Sequence, residues 1–159
     1  MDDSELKKAR FYALKSTNLK PCSIEELKEK LSKKGFADAV ITEVLSEFTK
    51  KGLLDDSKFS RLWVENRMYS NPKGEPVLRQ ELKAKGVEEQ VIDNTIQAIK
   101  KTYNEYDMVK NLADARMVSL KGLDKTTAKR RLFGYLKRRG FDFEIIMKVV
   151  KEEFKSLKS

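Results

Sequence analysis

The sequence contains no histidine and only one cysteine, Cys22, among its 159 residues. The first absence removes the commonest general base and the commonest metal ligand. The second rules out an intramolecular disulfide framework and a multi-cysteine zinc site. Only three prolines occur, Pro21, Pro72 and Pro76, and they fall between expected helical segments. No run of about 18 apolar residues exists, so no membrane span is expected. The acidic start Met1-Asp2-Asp3-Ser4 lacks the apolar stretch of a signal peptide, and with a lone cysteine it points to the reducing cytoplasm. The glycines are isolated and show no Walker or Rossmann spacing, so no nucleotide cradle is expected. The pair Asp55-Asp56 reads as a helix N-cap rather than a metal or acid/base couple, because it directly precedes a helical pattern. These absences together leave no catalytic residue set, no metal site and no cofactor, and predict a protein that is not an enzyme.

What is present is charge and helical periodicity. Hydrophobic residues make up 40% of the chain and charged residues 37%. That balance suits several small helical units, each with a thin apolar stripe and a wide solvated face. The β-branched residues sit among Lys, Glu and Leu at helical spacing, so strand signals are weak.

One pattern recurs three times: two leucines four apart, a basic residue, a glycine, then Phe or Val. It runs Leu27, Leu31, Lys34-Gly35-Phe36, then Leu78, Leu82, Lys85-Gly86-Val87, then Leu132, Leu136, Arg139-Gly140-Phe141. The register continues, with Ile41, Ile92 and Ile146 six positions after each glycine, and Leu45, Ile96 and Val150 ten positions after it. The leucines stack on one helix face. The glycine suits the left-handed cap that ends the helix, and the cation before it faces the negative end of the helix dipole. A second amphipathic helix follows, making a helix-turn-helix-like corner.

A further helix precedes each corner. The expected spans are 4–16 with Leu6, Ala9, Ala13 and Leu14 inward, 56–70 with Phe59, Leu62, Trp63 and Val64 inward, and 105–119 with Met108, Val109, Leu112 and Ala115 inward. Ser23 and Glu26 form a capping box for the middle helix of the first repeat, Asp55 or Asp56 caps the second repeat, and Asp124 or Thr126 starts the middle helix of the third. The last helix of the second repeat either breaks near Asn104 or runs on into the next. The fold expected is therefore all-α, three tandem three-helix repeats over 1–54, 55–103 and 104–159.

The net charge of +9 suggests a polyanionic partner, and its distribution sharpens the point. Residues 104–159 carry 14 basic and 8 acidic side chains, whereas the first two repeats are nearly balanced. On a helix spanning about Thr127–Arg139, Arg130, Arg131, Lys137 and Arg138 fall on the face opposite Ala128, Leu132 and Leu136, with Gly134 in their midst. Four cations with no interspersed acid are unlike a neutral solvating face, and a small residue among them admits a phosphate backbone. Arg67, Lys73, Arg79 and Lys83 extend the basic track in the second repeat, interleaved with Glu75 and Glu81. Arg139 matches Lys34 and Lys85 and reads as repeat architecture. Trp63 lies on an apolar stripe and reads as core rather than as a base-stacking platform.

The ordered set Gly52-Leu53-Leu54-Asp55-Asp56, Phe59, Trp63-Val64, Arg67 and Leu78-Arg79-Gln80-Glu81-Leu82-Lys83-Ala84-Lys85-Gly86-Val87 resembles the RecX family, regulators of the bacterial recombinase RecA. Ala9, Tyr12-Ala13-Leu14 and Ser23-Ile24-Glu25-Glu26-Leu27 are similar to that family's first repeat. The resemblance implies an elongated, curved array of three-helix repeats without enzymatic activity. It implies binding to RecA and to RecA–DNA filaments, with inhibition of RecA's ATPase and strand exchange, in DNA recombination, repair and the SOS response. Single- or double-stranded DNA is an expected partner through the basic face, a membrane is not, and a monomer is expected. Two other readings stay open on the residues alone: a direct helix-turn-helix-like DNA-binding regulator, and a purely structural helical adaptor.

Overall fold

A computed structural model describes residues 2–155; the outermost positions of the first and third repeats, residue 1 and residues 156–159, lie outside the described residues. Among the described residues the chain is entirely helical, without a strand. The first triplet is α1 (Asp3–Leu19), α2 (Ile24–Lys33) and α3 (Asp38–Lys50). The second is α4 (Asp56–Ser70), α5 (Glu75–Ala84) and α6 (Glu89–Thr102), and the third is α7 (Glu105–Met117), α8 (Lys125–Arg138) and α9 (Phe143–Lys155). A short 3₁₀ turn, Val118–Leu120, follows α7.

The three corners form as the repeat requires. Gly35, Gly86 and Gly140 have φ of 88°, 79° and 83°, the left-handed region that a β-carbon disfavours. The Phe36 N–H donates back to Leu31 O at 3.3 Å, and the Val87 N–H to Leu82 O at 3.1 Å, closing the helix ends in Schellman fashion. The leucine pairs are buried in every copy, and so are Ile41, Ile92 and Ile146. Burying each such side chain stabilises the fold by about 1.5–3 kcal/mol.

Caps settle the boundaries. The Ser23–Glu26 capping box is complete, with Ser23 Oγ accepting from the Glu26 N–H and Glu26 Oε1 from the Ser23 N–H. Asp55 caps α4, accepting from the amides of Ser57 and Lys58. Asp56 turns to the Ile24 N–H at 2.9 Å. Asp124, not Thr126, caps α8, accepting from the Thr127 N–H. The chain breaks at Asn104, whose side chain accepts from the Asp107 N–H, so α6 and α7 are separate helices.

Three inward assignments differ from expectation. α1 buries Leu6, Ala9, Ala13 and Ser16, while Leu14 is 43% exposed, because the stripe steps by three and four and Leu14 sits about 100° beyond Ala13. On α4, Ser60 and Val64 face inward and Leu62 is 40% exposed. On α7, Ala113 stacks one turn beyond Val109 and is fully buried, leaving Ala115 exposed; the helix stops at Met117.

The described chain forms two compact units. One runs to Trp63 and includes Glu81–Thr95; the other comprises Val64–Gln80 and the chain from Ile96 onward. The first has a core of Leu6, Ala9, Ala13, Leu27, Leu31, Val40, Ile41, Val44, Phe48 and Leu54. The second has a core of Val109, Ala113, Leu132, Leu136, Phe141, Ile146, Val149 and Phe154.

Candidate nucleic-acid interface

α8 has no carboxylate in its 14 residues, and its last turn carries Lys137 and Arg138 next to the negative end of its dipole. Ala128, Leu132 and Leu136 are its buried face. Arg130, Arg131, Lys137 and Arg138 are all exposed, and none is within ion-pair distance of a carboxylate among the described residues. Lys137 lies 5.9 Å over the Phe133 ring. Gly134 sits in the middle of this face, and a β-carbon there would come 3.1 Å from Arg138 Nη1. The space above the glycine is therefore the resting place of the Arg138 guanidinium, not an open gap. Asp124 at the α8 N-cap has its carboxyl held below the usual value by hydrogen bonds from Thr127, so it stays ionised at the end of the helix away from Lys137 and Arg138.

The cations expected in the second repeat are placed differently. Arg79 is ion-paired one turn back with Glu75 at 3.0 Å, and Glu75 also takes Lys100 at 2.7 Å. Lys73 is half-buried in a small cleft lined also by Glu75, Lys100 and Glu105. Arg67 is half-buried and engaged, and Lys83 is exposed on α5. Two of these four are thus set among carboxylates, whereas among the described residues none of the α8 set is ion-paired and only Arg130 feels a carboxylate, that of the N-cap Asp124.

Two of the three basic residues before the corner glycines, Arg139 and Lys85, are structural. Arg139 donates to Asn71 Oδ1 and to Pro72 O and stacks 4.7 Å over Tyr135. Lys85 pairs with Glu26 at 3.0 Å and stands 5.0 Å over the Trp63 ring. Trp63 itself is half-buried, stacked on Phe59, with its Nε1–H donated to Glu81 at 2.8 Å. The joint around Lys85 was only half legible in the sequence: the capping box names Glu26, but nothing local says that its second oxygen receives a lysine 59 residues away. Among the described residues no group of three or more potential metal ligands gathers, and no helix is long and apolar enough to cross a membrane.

Tandem helical corners with one bare cationic helix define a class: small all-α repeat proteins with helix-turn-helix-like modules. Residues 55–96 match the model of the second three-helix domain of RecX, and residues 103–150 that of the third. The chain is 30% identical over 153 residues to the regulatory protein RecX of Amycolatopsis mediterranei (strain U-32), covering 96% of this chain and 87% of that one. It is 31% identical over 159 residues to that of Chlorobium phaeobacteroides (strain BS1), covering 98% and 100%. The crystal structure of RecX from Lactobacillus salivarius superposes with a TM-score of 0.76 over 94% of this chain and 96% of that one, at 19% identity. The chain belongs to the RecX family of regulatory proteins.

Proposed function

We propose that this protein regulates the RecA recombinase without catalysing a reaction of its own. It binds RecA and the RecA–DNA filament as a monomer in the cytoplasm and lowers RecA's ATP hydrolysis and strand exchange. Three repeats, 1–54, 55–103 and 104–159, would contact the filament, with the bare face of α8 turned toward DNA. Support for the regulatory role comes from membership of the RecX family. The observation that carries the DNA contact is the set Arg130, Arg131, Lys137 and Arg138, exposed and without an ion pair among the described residues, on a helix that contains no carboxylate.

Phosphate contacts made this way are electrostatic and insensitive to sequence, and they release counterions, so affinity falls steeply with salt. Arg67, Lys73, Arg79 and Lys83 are proposed as secondary contacts, weakened where Glu75 already holds Arg79. The test is RecA-catalysed, DNA-dependent ATP hydrolysis with and without the protein. Suppression at stoichiometric protein is expected, and no effect at excess would refute the RecA reading.

A further inference from the structure

α1 carries more apolar surface than its inward stripe uses. Phe11 is 72% exposed and Leu19 is 77% exposed. They lie two turns apart on one face with Lys15 between them, about 12 Å along the axis. That face borders a cleft of about 520 Å³. Tyr12 and the buried Ser16 line it on α1, with Lys30 of α2, Lys34 just after α2, and Lys20 just after α1. No carboxylate lines it.

We propose that this cleft is a docking surface for an acidic amphipathic helix of a partner protein. Phe11 and Leu19 present two anchors at the spacing at which an amphipathic helix repeats its own apolar side chains, the pattern of helix-in-groove recognition. Lys15 lies between these anchors and Lys20, Lys30 and Lys34 line the same cleft, so carboxylates beside the partner's apolar stripe would meet ammonium groups. An all-cationic rim around apolar anchors selects against neutral or basic helices by leaving lysines unpaired.

A nucleic-acid strand fits this cleft less well. Phe11 offers one open ring, but stacking along a strand needs a series of them, and Lys34 Nζ covers the Tyr12 ring at 5.1 Å while Tyr12 also packs at a tilt against Phe36. Leu19 offers no ring, and no arginine lines the cleft to fork onto phosphate. The arginine-rich α8 carries that chemistry, so the two surfaces serve different classes of partner, and the docking surface does not depend on the RecA reading.

The test uses the full chain and a labelled synthetic amphipathic helix, leucine at heptad spacing and glutamate elsewhere, read by fluorescence anisotropy beside a labelled oligothymidylate. Binding of the peptide is expected, weakened about tenfold or more in Phe11→Gln/Leu19→Gln and in Lys15→Glu/Lys30→Glu. These positions are outside the core, and an unchanged circular dichroism melt would show that each variant folds. Replacing Arg130, Arg131, Lys137 and Arg138 with Gln should leave peptide affinity unchanged. Absence of peptide binding, or equal binding by both α1–α2 variants, overturns the proposal. So does a result in which the Lys15/Lys30 variant loses the oligonucleotide and not the peptide.

Discussion

At Gly86 a β-carbon would lie 2.4 Å from Glu25 Cβ, and at Gly140 one would lie 2.5 Å from Val77 Cγ2; at Gly35 it would meet nothing within 4 Å. All three glycines are left-handed, but only the second and third corners are pressed against the loop and helix start of the preceding triplet. The hydrogen bonds agree: Ser23 Oγ–H donates to Lys85 O, and the Gly74 N–H donates to Arg139 O, each at 2.7 Å. A Gly→Ala change therefore has one cost at Gly35 and two costs at the others. Gly35→Ala should lose only the left-handed strain of ~1–2 kcal/mol. Gly86→Ala and Gly140→Ala should lose measurably more, because Glu25 or Val77 must also shift. Urea denaturation midpoints of the three variants check the order, and a Gly35→Ala as damaging as Gly140→Ala would contradict the packing difference.

At the scale of the element, α2 starts with a carboxylate that does two things. Burial pushes the Glu26 pKa up, but the Ser23 amide and the Lys85 ammonium outweigh it, and the carboxyl titrates below its ordinary value of 4.5. A carboxyl whose folded pKa is depressed stabilises the native state at pH above the unfolded value. That contribution is lost as pH falls through the folded value. The melting temperature of the protein should thus fall more steeply below pH ~4.5 than that of Glu26→Gln. Parallel curves would assign the acid limb to other groups. α8 is built differently. Its buried face is three small or branched residues, Ala128, Leu132 and Leu136, so its outer face is free to be wholly cationic. Leu132→Ala should destabilise by about 2–5 kcal/mol in thermal or chemical denaturation, through reduced burial and the cavity left behind.

For the whole molecule, the net charge of +9 is unevenly spread, and α8 carries much of the excess. Changing Arg130, Arg131, Lys137 and Arg138 to Gln removes four of these charges from exposed sites without touching the core. Stability should change by no more than about 0.5 kcal/mol. DNA affinity should drop, and the slope of log affinity against log salt should shrink by about 0.9 for each duplex phosphate that is no longer neutralised. Titrations at several salt concentrations check this, and an unchanged slope would leave α8 as a solvated face. The same variant assayed on RecA separates binding to DNA from binding to RecA.

The local elements are legible in the sequence. Leucines four apart, a cation and a glycine specify a helix, its cap and its corner, because those signals act within one or two turns. Asp55, Asn104 and Asp124 likewise mark helix starts by satisfying amides next to them in sequence. The bare face of α8 is readable from helical periodicity alone. In the second repeat periodicity shows Glu75 one turn before Arg79, but not that Glu75 also takes Lys100, 25 residues away on another helix. Nor does periodicity decide between Leu14 and Ser16, between Leu62 and Ser60, or between Ala115 and Ala113, since the inward direction depends on which neighbour the helix meets. Charge and periodicity along the chain thus determined the helices, the repeat and the location of the cations. Only tertiary packing decided which cations are held by carboxylates, which corner glycines are closely packed, and which apolar residues of α1 are left facing solvent, because each of these depends on groups distant in sequence meeting in space.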